Sequence, residues 1–291
     1  IGGAVGLKGS DGSDIVQLAL ALGAEKKAAS RVAITLEHLQ PAAAAIDWFT
    51  WGGEMGEQEL RAALRDKARE RLQELISAII AERRAHTGVA HGDALETFMS
   101  GTYKDGSYLS DNEITGLVIA TMFAGHHTSS GTAAWTAVEL ARNPQYTAEI
   151  LDELQTLFGD GRELDFEALR EIPRLERFIE EVLRLHPPLV LLMRRVIEDI
   201  DYNGTLIEAG KTVAISTYGS HRNPQYFPDP ERFDPHRPKA NTPEMMWAYI
   251  PFGGGPHKCA GNAFAMMQLK SIFAALVPKY EFALVDPSES Y

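Results

Sequence analysis

Apolar residues recur at Leu60, Leu64, Leu72, Leu75, Ile76, Ile79 and Ile80 among alternating charges. This three-to-four spacing predicts a long amphipathic helix from about 57 to 84. A turn at Lys104-Asp105-Gly106 leads to Ser110-Asp111-Asn112-Glu113, where Ser is followed three residues later by Glu. Such a capping box satisfies two orphan amides of a starting helix. The helix it opens is expected to reach Asn143, where Pro144 ends it, and to measure roughly 45 Å at 1.5 Å per residue. A helix of that length crosses the core of a domain. Further helices are expected over Pro144–Phe158, over Pro173–His186 before Pro187-Pro188, and over Asn262–Val277 before Pro278. Residues 1–30, rich in Gly and Ala with Ile15, Leu18, Leu20 and Leu22, read as helix without a clear cap.

Elsewhere the period changes. Ile197, Ile200, Tyr202 and Leu206-Ile207 surround Asn203-Gly204, a pair that supplies the positive φ angles of a tight β-hairpin turn. Val213 and Ile215 alternate as a strand, and residues 223–257 are dense in Pro and Gly, as in an extended loop region. The fold class is therefore mainly α with a small β portion, and no internal repeat is visible.

Composition narrows the function classes. With 45% hydrophobic and 23% charged residues among 291, the chain is globular and can bury a core. Its 28 Lys+Arg against 40 Asp+Glu give a net charge of −12, and no basic run breaks that balance, so nucleic acid is not an expected partner. No stretch has the order of a signal peptide or the apolar length of a membrane span. The chain starts at Ile1 rather than Met, so its true beginning, and any membrane anchor there, is expected upstream; a bacterial source would imply a cytoplasmic protein. Cys259 is the single cysteine, which excludes an intrachain disulfide and a Cys-only zinc or iron–sulfur site.

Two near-motifs fail on geometry. Five residues, not the four the motif needs, lie between Gly204 and Gly210-Lys211-Thr212, and a strand rather than a helix follows, so this is not a phosphate-binding loop. His126 and His127 are adjacent and point about 100° apart on a helix, unlike the paired ligands of a zinc helix.

Three features carry chemistry. The first is Phe252-Gly253-Gly254-Gly255-Pro256-His257-Lys258-Cys259-Ala260-Gly261, directly before the last helix. Its glycines let backbone approach a bulky planar ligand, and the partial positive charge of the helix start favours a thiolate. The second is Glu181-x-x-Arg184 before the proline pair, followed by Pro230-Glu231-Arg232-Phe233. Residues three apart on a helix can meet. The same spacing at Glu139/Arg142, Glu167/Arg170 and Glu171/Arg174 has a solvated ion pair as its default reading. The third is Ala124-Gly125-His126-His127-Thr128-Ser129, in the middle of the long helix, where small and hydroxylated residues predict a local widening or kink.

The spacing Phe-x-x-Gly-x-x-x-Cys-x-Gly resembles the haem-thiolate signature of the cytochromes P-450, and the other two features stand in that family's order. The resemblance implies haem b as cofactor, with Cys259 as the ligand of its iron. Phe252, Gly253, Gly255 and Gly261 would shape the loop, and Arg194 and His257 would hold the propionates. It implies a structural triad of Glu181, Arg184 and Arg232, a proton-delivering Thr128 beside His127, and a substrate side lined by Phe123, Ala124 and Leu189. His127 takes the place where most of the family has an acid; this substitution, with Arg-Leu-His-Pro-Pro-Leu at 184–189, is similar to bacterial sterol 14α-demethylases. Imidazole can relay protons as a carboxylate does. The implied activity is monooxygenation of a sterol or other lipophilic molecule, with O2 and with electrons from a ferredoxin or a flavoprotein reductase.

Against the same family, residues 1–291 read as a single partial domain, with 56–291 as the helical core and haem-binding region and 1–55 unplaced. The family's N-terminal region is expected to be missing, since none of Trp48, Trp51, Trp135 or Trp247 is followed four residues on by Arg or Lys. A family member oxidising a non-sterol lipid or terpenoid, an enzyme rearranging peroxides, and a truncated non-catalytic haem-binding or interaction protein are the competing readings.

Overall fold

A computed structural model of the chain describes residues 5–9, 58–86, 91–238 and 242–284. The chain divides into two compact units, Val16–Ala124 and Ile1–Ile15 with Gly125–Tyr291.

In the first unit, α1 (Gln58–Ala85) and α2 (Ala94–Ser100) precede the start of α3 (Asp111–Arg142). The amphipathic stripe read from the sequence buries Ile76 and Ile80 against Ile114, with Leu95, Phe98, Met99, Leu109 and Val118 packed around them. Asp93 caps α2 by accepting from the amide of Glu96 at 2.9 Å. Arg83 grips the same carboxylate with two bonds of 2.8 and 2.7 Å, which holds it well below the usual carboxylate range. At the start of α3 the capping box forms as expected: the Ser110 amide donates to Glu113 at 2.8 Å, and the Glu113 amide donates to Ser110 Oγ at 3.3 Å.

The second unit is built around the helix Pro173–Leu185. Pro144 opens α4 (Pro144–Phe158), a 3₁₀ turn spans Ala168–Glu171, and Pro173 opens α5 (Pro173–Leu185). Pro suits a first helical turn because its missing N–H would have no partner there. Leu175, Phe178, Ile179, Val182, Leu183 and Leu185 of α5 are buried, as are Ile150 and Leu154 of α4 and Leu269, Phe273 and Leu276 of α8 (Asn262–Leu276). Lys270 of α8 bonds Glu176 of α5 at 2.6 Å.

Among the described residues, three two-stranded antiparallel sheets complete this unit. β2 (Leu191–Arg195) pairs with β5 (Thr212–Ser216), Leu192 opposite Ile215 and Arg194 opposite Val213. β3 (Ile200–Tyr202) and β4 (Thr205–Ile207) form the expected hairpin, its turn made by Asn203 at φ 51° and Gly204 at φ 82°. A short α6 (Thr217–Ser220) follows β5. The segment read as an extended loop contains α7 (Pro243–Ala248), where Thr242 accepts from the Met245 amide at 3.2 Å. β6 (Tyr280–Leu284) pairs with β1 (Val5–Gly9), Tyr280 opposite Gly9 and Leu284 opposite Val5.

Two expectations are corrected. Residues 5–9, read as part of a helix, are a strand, because β6 supplies backbone partners that local propensity does not register; Ile15, Leu18, Leu20 and Leu22 lie outside the described residues. Helix α3 is α-helical throughout, without the widened turn expected at 124–129. Hydroxyls of Ser130 and Thr132 bond the carbonyls of His126 and Thr128 at 2.6 and 2.8 Å, alongside the helical ladder and not in place of it. Among the described residues, no helix is long and apolar enough to cross a membrane.

Candidate functional site

The buried end of α5 is an ion cluster. Arg184 donates from Nε and Nη2 to the two oxygens of Glu181, each at 2.8 Å. Its remaining donors reach the carbonyls of His221 at 2.9 Å, Pro230 at 2.7 Å and Arg232 at 3.1 Å. Glu181 Oε1 also accepts from the Asp234 amide at 2.9 Å and from Arg237 Nε at 3.0 Å. The second arginine whose side chain joins this cluster is therefore Arg237, where Arg232 was expected. Arg232 contributes a carbonyl, while its guanidinium lies in solvent, 3.6 Å from Asp234.

The other Glu-x-x-Arg spacings diverge. Glu167 and Arg170 are exposed and 3.6 Å apart, as expected of a solvated pair. Glu171 pairs instead with Arg162 at 2.7 Å, and Arg174 with Asp152 at 2.9 Å. Glu139 departs from the solvated reading: it is buried, bonded to Arg142 at 3.3 Å and to His186 Nε2 at 3.0 Å. The His186 ring stacks on Trp135 with centroids 3.8 Å apart.

From this cluster the chain is handed to the cysteine loop. His221 is wholly buried, and its ring lies 3.1 Å from the Arg184 carbonyl and 2.9 Å from the Ile250 amide. The hydroxyl of Tyr249 donates to the Glu180 carbonyl at 2.9 Å. Beyond this anchor the loop turns: Gly253 donates to Ile250 O at 3.0 Å, Lys258 to Gly255 O at 3.1 Å and Cys259 to Phe252 O at 2.8 Å. Gly253 and Gly255 sit at φ 71° and 67°, where a side chain would be strained. Cys259 is exposed; a Cβ on Gly261, the residue before α8, would stand 3.9 Å from its sulfur. His257 ends the 3₁₀ turn Gly255–His257 and is exposed.

Strand β2 adjoins this loop. A Cβ on Gly253 would meet Leu192 at 3.8 Å, and Arg194 shares the Leu192 face because strand residues two apart point the same way. Leu189, 54% exposed, precedes the strand and its carbonyl accepts from the buried Thr217 hydroxyl. An accessible thiol on a turn-forming glycine loop, with a guanidinium on the neighbouring strand, has the donor chemistry of a thiolate-held porphyrin with anionic side groups, and the residues present fit that group.

Phe123, Ala124, His127 and Thr128 form a separate group along α3. Phe123 and His127, and likewise Ala124 and Thr128, are four residues apart and so lie one above the other. Residues 121–127 are exposed on every side for nearly two turns, and Thr128 is half-buried. The rings of His126 and His127 meet edge to face, 4.8 Å apart at 86°. The residues not anticipated from sequence are Arg237, His221 and Tyr249, each joined to α5 across 37 or more positions, where no local spacing signals the contact.

The sequence model of the family described as Cytochrome P450 matches residues 60–290. A sterol 14alpha-demethylase of Mycolicibacterium vanbaalenii is 44% identical over 234 residues, covering 78% of this chain and 52% of that protein. One from Mycobacterium tuberculosis is 46% identical over 233 residues, with the same coverage. A sterol 14-demethylase of Arabidopsis thaliana is 40% identical over 77% of this chain and 48% of its own length. The solved structure of a retinoic acid bound cyanobacterial CYP120A1 superposes with a TM-score of 0.68 at 27% identity, covering 78% of this chain and 52% of that one. The chain thus spans about half the length of the relatives it matches.

Proposed function

Because the chain belongs to the cytochrome P450 family, we propose that it serves a haem-thiolate monooxygenase whose substrate is a sterol carrying a 14α-methyl group. The observation that carries this reading is the exposed, lone Cys259 on its glycine loop before α8; the 44–46% identity to bacterial sterol 14alpha-demethylases supports the substrate. When bound, haem b supplies the oxygen chemistry, and thiolate donation from Cys259 favours oxygen–oxygen cleavage. The protein binds, orients and controls proton access.

In this reading Cys259 holds the iron, and Phe252, Gly253, Gly255 and Gly261 keep the sulfur loop in shape. Arg194 and His257 bind the propionates, Arg194 as a permanent cation and His257 as a hydrogen-bond donor. Phe123, Ala124 and Leu189 present apolar surface to the substrate. Thr128 and His127 would deliver protons to the reaction, the imidazole standing in for a carboxylic acid. Each round takes up one O2, two electrons from a ferredoxin or flavoprotein donor and two protons, leaving one oxygen atom in the substrate and the other in water. Successive rounds carry the methyl group to alcohol and aldehyde and release it as formate.

The test is the absorption spectrum of the reduced, CO-bound protein. A thiolate-type band is expected in the wild type and is expected to vanish in Cys259→Ala. No haem uptake by the wild type would favour the non-catalytic reading. Sterols that leave the ferric spectrum unmoved, while fatty acids or terpenoids shift it, would sink the sterol assignment.

A further inference from the structure

His221 is an imidazole with both ring nitrogens committed to backbone. Ile250 N–H can only donate and the Arg184 carbonyl can only accept, so the ring is neutral with its proton on Nδ1 and its lone pair on Nε2. The residue is fixed from its main chain as well: its amide donates to Thr217 O at 2.9 Å, and its carbonyl accepts from Arg184 Nη1 at 2.9 Å. Arg184 and His221 thus bond each other reciprocally, side chain to carbonyl in both directions.

Beyond the ring the bonds continue in one direction. Ile250, whose amide is held by Nε2, gives its carbonyl to the Gly253 amide at 3.0 Å, and Phe252, inside that turn, gives its carbonyl to the Cys259 amide at 2.8 Å. Tyr249, the residue before Ile250, lies with its ring 5.3 Å from that of His221 and is tied to α5 through Glu180. The segment entering the cysteine loop is therefore attached to α5 at two successive residues, by one hydroxyl and one imidazole.

We infer that His221 is a positioning residue for the Cys259 loop, its neutral Nδ1–H imidazole coupling the buried Glu181–Arg184 pair to the backbone that carries the thiol. The proposal rests on the reading of Cys259 as the iron ligand for its functional meaning, while the coupling itself is a property of the chain. Burial pushes the imidazole down to about 4, and the charges of Arg184 and Arg222 act in the same direction. The charged and titratable groups facing it are Arg184 from α5, Arg222 from its own segment and Tyr249 from the segment entering the loop. The carbonyls of Arg184 and Leu183 favour the charged ring, but burial outweighs them, so the ring stays a neutral acceptor across the physiological range.

The variants separate acceptor from donor. The side-chain oxygen of His221→Gln can reach the place of Nε2 and keep the Ile250 bond; His221→Asn keeps a donor near Nδ1 and loses that acceptor. Amide hydrogen exchange on the full chain without haem is expected to speed up about tenfold at Ile250, Gly253 and Cys259 in His221→Asn, the factor that one hydrogen bond is worth. Amides of α5 and α8 should change little, and His221→Gln should stay near wild type. In the haem-loaded chain, the thiolate-type CO band should give way to a non-thiolate band in His221→Asn more than in His221→Gln. Asn and Gln variants that behave alike, or exchange that rises uniformly through the chain, would overturn the proposal. The imidazole nitrogen resonances of the wild type add a readout that needs no variant to fold: a ring carrying its proton on Nε2 also overturns it. A wild type lacking the thiolate-type band would refute Cys259 as ligand, whereas the exchange data decide the coupling on their own.

Discussion

Two arginines five residues apart have opposite environments. Arg237 is 15% exposed and bonds Glu181 together with the carbonyls of Asp229 and Arg232 at 2.7 and 2.6 Å, whereas Arg232 is 63% exposed. Arg237→Ala should therefore cost about 3 kcal/mol, the order expected when a buried charge loses its partner, and Arg232→Ala less than about 0.5 kcal/mol; urea midpoints of the two variants check the order. Glu181/Arg184 is legible in sequence because three-residue spacing on a helix is a local signal. Arg237 is not, since it reaches Glu181 across 56 positions, and a family pattern pointed to its neighbour. Glu139 escaped for a similar reason: its spacing to Arg142 is visible, but the burial that Trp135 and His186 bring to it is not. His221 carries a pH consequence. Its folded-state value of about 4 lies below the ordinary 6.5, so between these limits the unfolded chain binds the proton and the folded chain does not. Stability is full above pH 6.5 and is lost as pH falls toward 4, by up to about 3 kcal/mol. Urea unfolding at pH 7 and pH 5 should show the fall, and His221→Gln should flatten it.

Helix boundaries were readable where the chemistry that sets them is local. Ser110 and Glu113 start α3, and Pro144 and Pro173 start α4 and α5, each within a few residues of the signal. Ser110→Ala should remove a cap worth about 1 kcal/mol, seen as a lower thermal midpoint, with faster exchange confined to the first turn of α3. Strands were harder. The hairpin was visible through Asn203-Gly204, and β5 through Val213 and Ile215. Strand β2 has no turn residue beside it to mark its pairing, and its partner follows only after that hairpin. Strand β1, Val5-Gly6-Leu7-Lys8-Gly9, has weak intrinsic preference for any state and is defined by β6 alone. The widening expected in the middle of α3 is absent because hydroxyls that can disturb a helix can also bond the carbonyl four residues back without breaking it.

At the scale of the molecule, composition placed the chain among globular proteins, and the thiol, the glycine loop and the α5 pair were all named from sequence. The division into two units was not, because contact density is a property of the folded chain. One unit is continuous in sequence, while the other is made of both ends, Ile1–Ile15 and Gly125–Tyr291, and its outermost ladder joins Val5–Gly9 to Tyr280–Leu284. That ladder bears on the order of folding. Gly9 and Tyr280 face each other although they stand far apart in sequence, so closing the ladder meets a large loop-closure cost, whereas α4 and α5 need only local contacts. The ladder is therefore expected to close after those helices have formed.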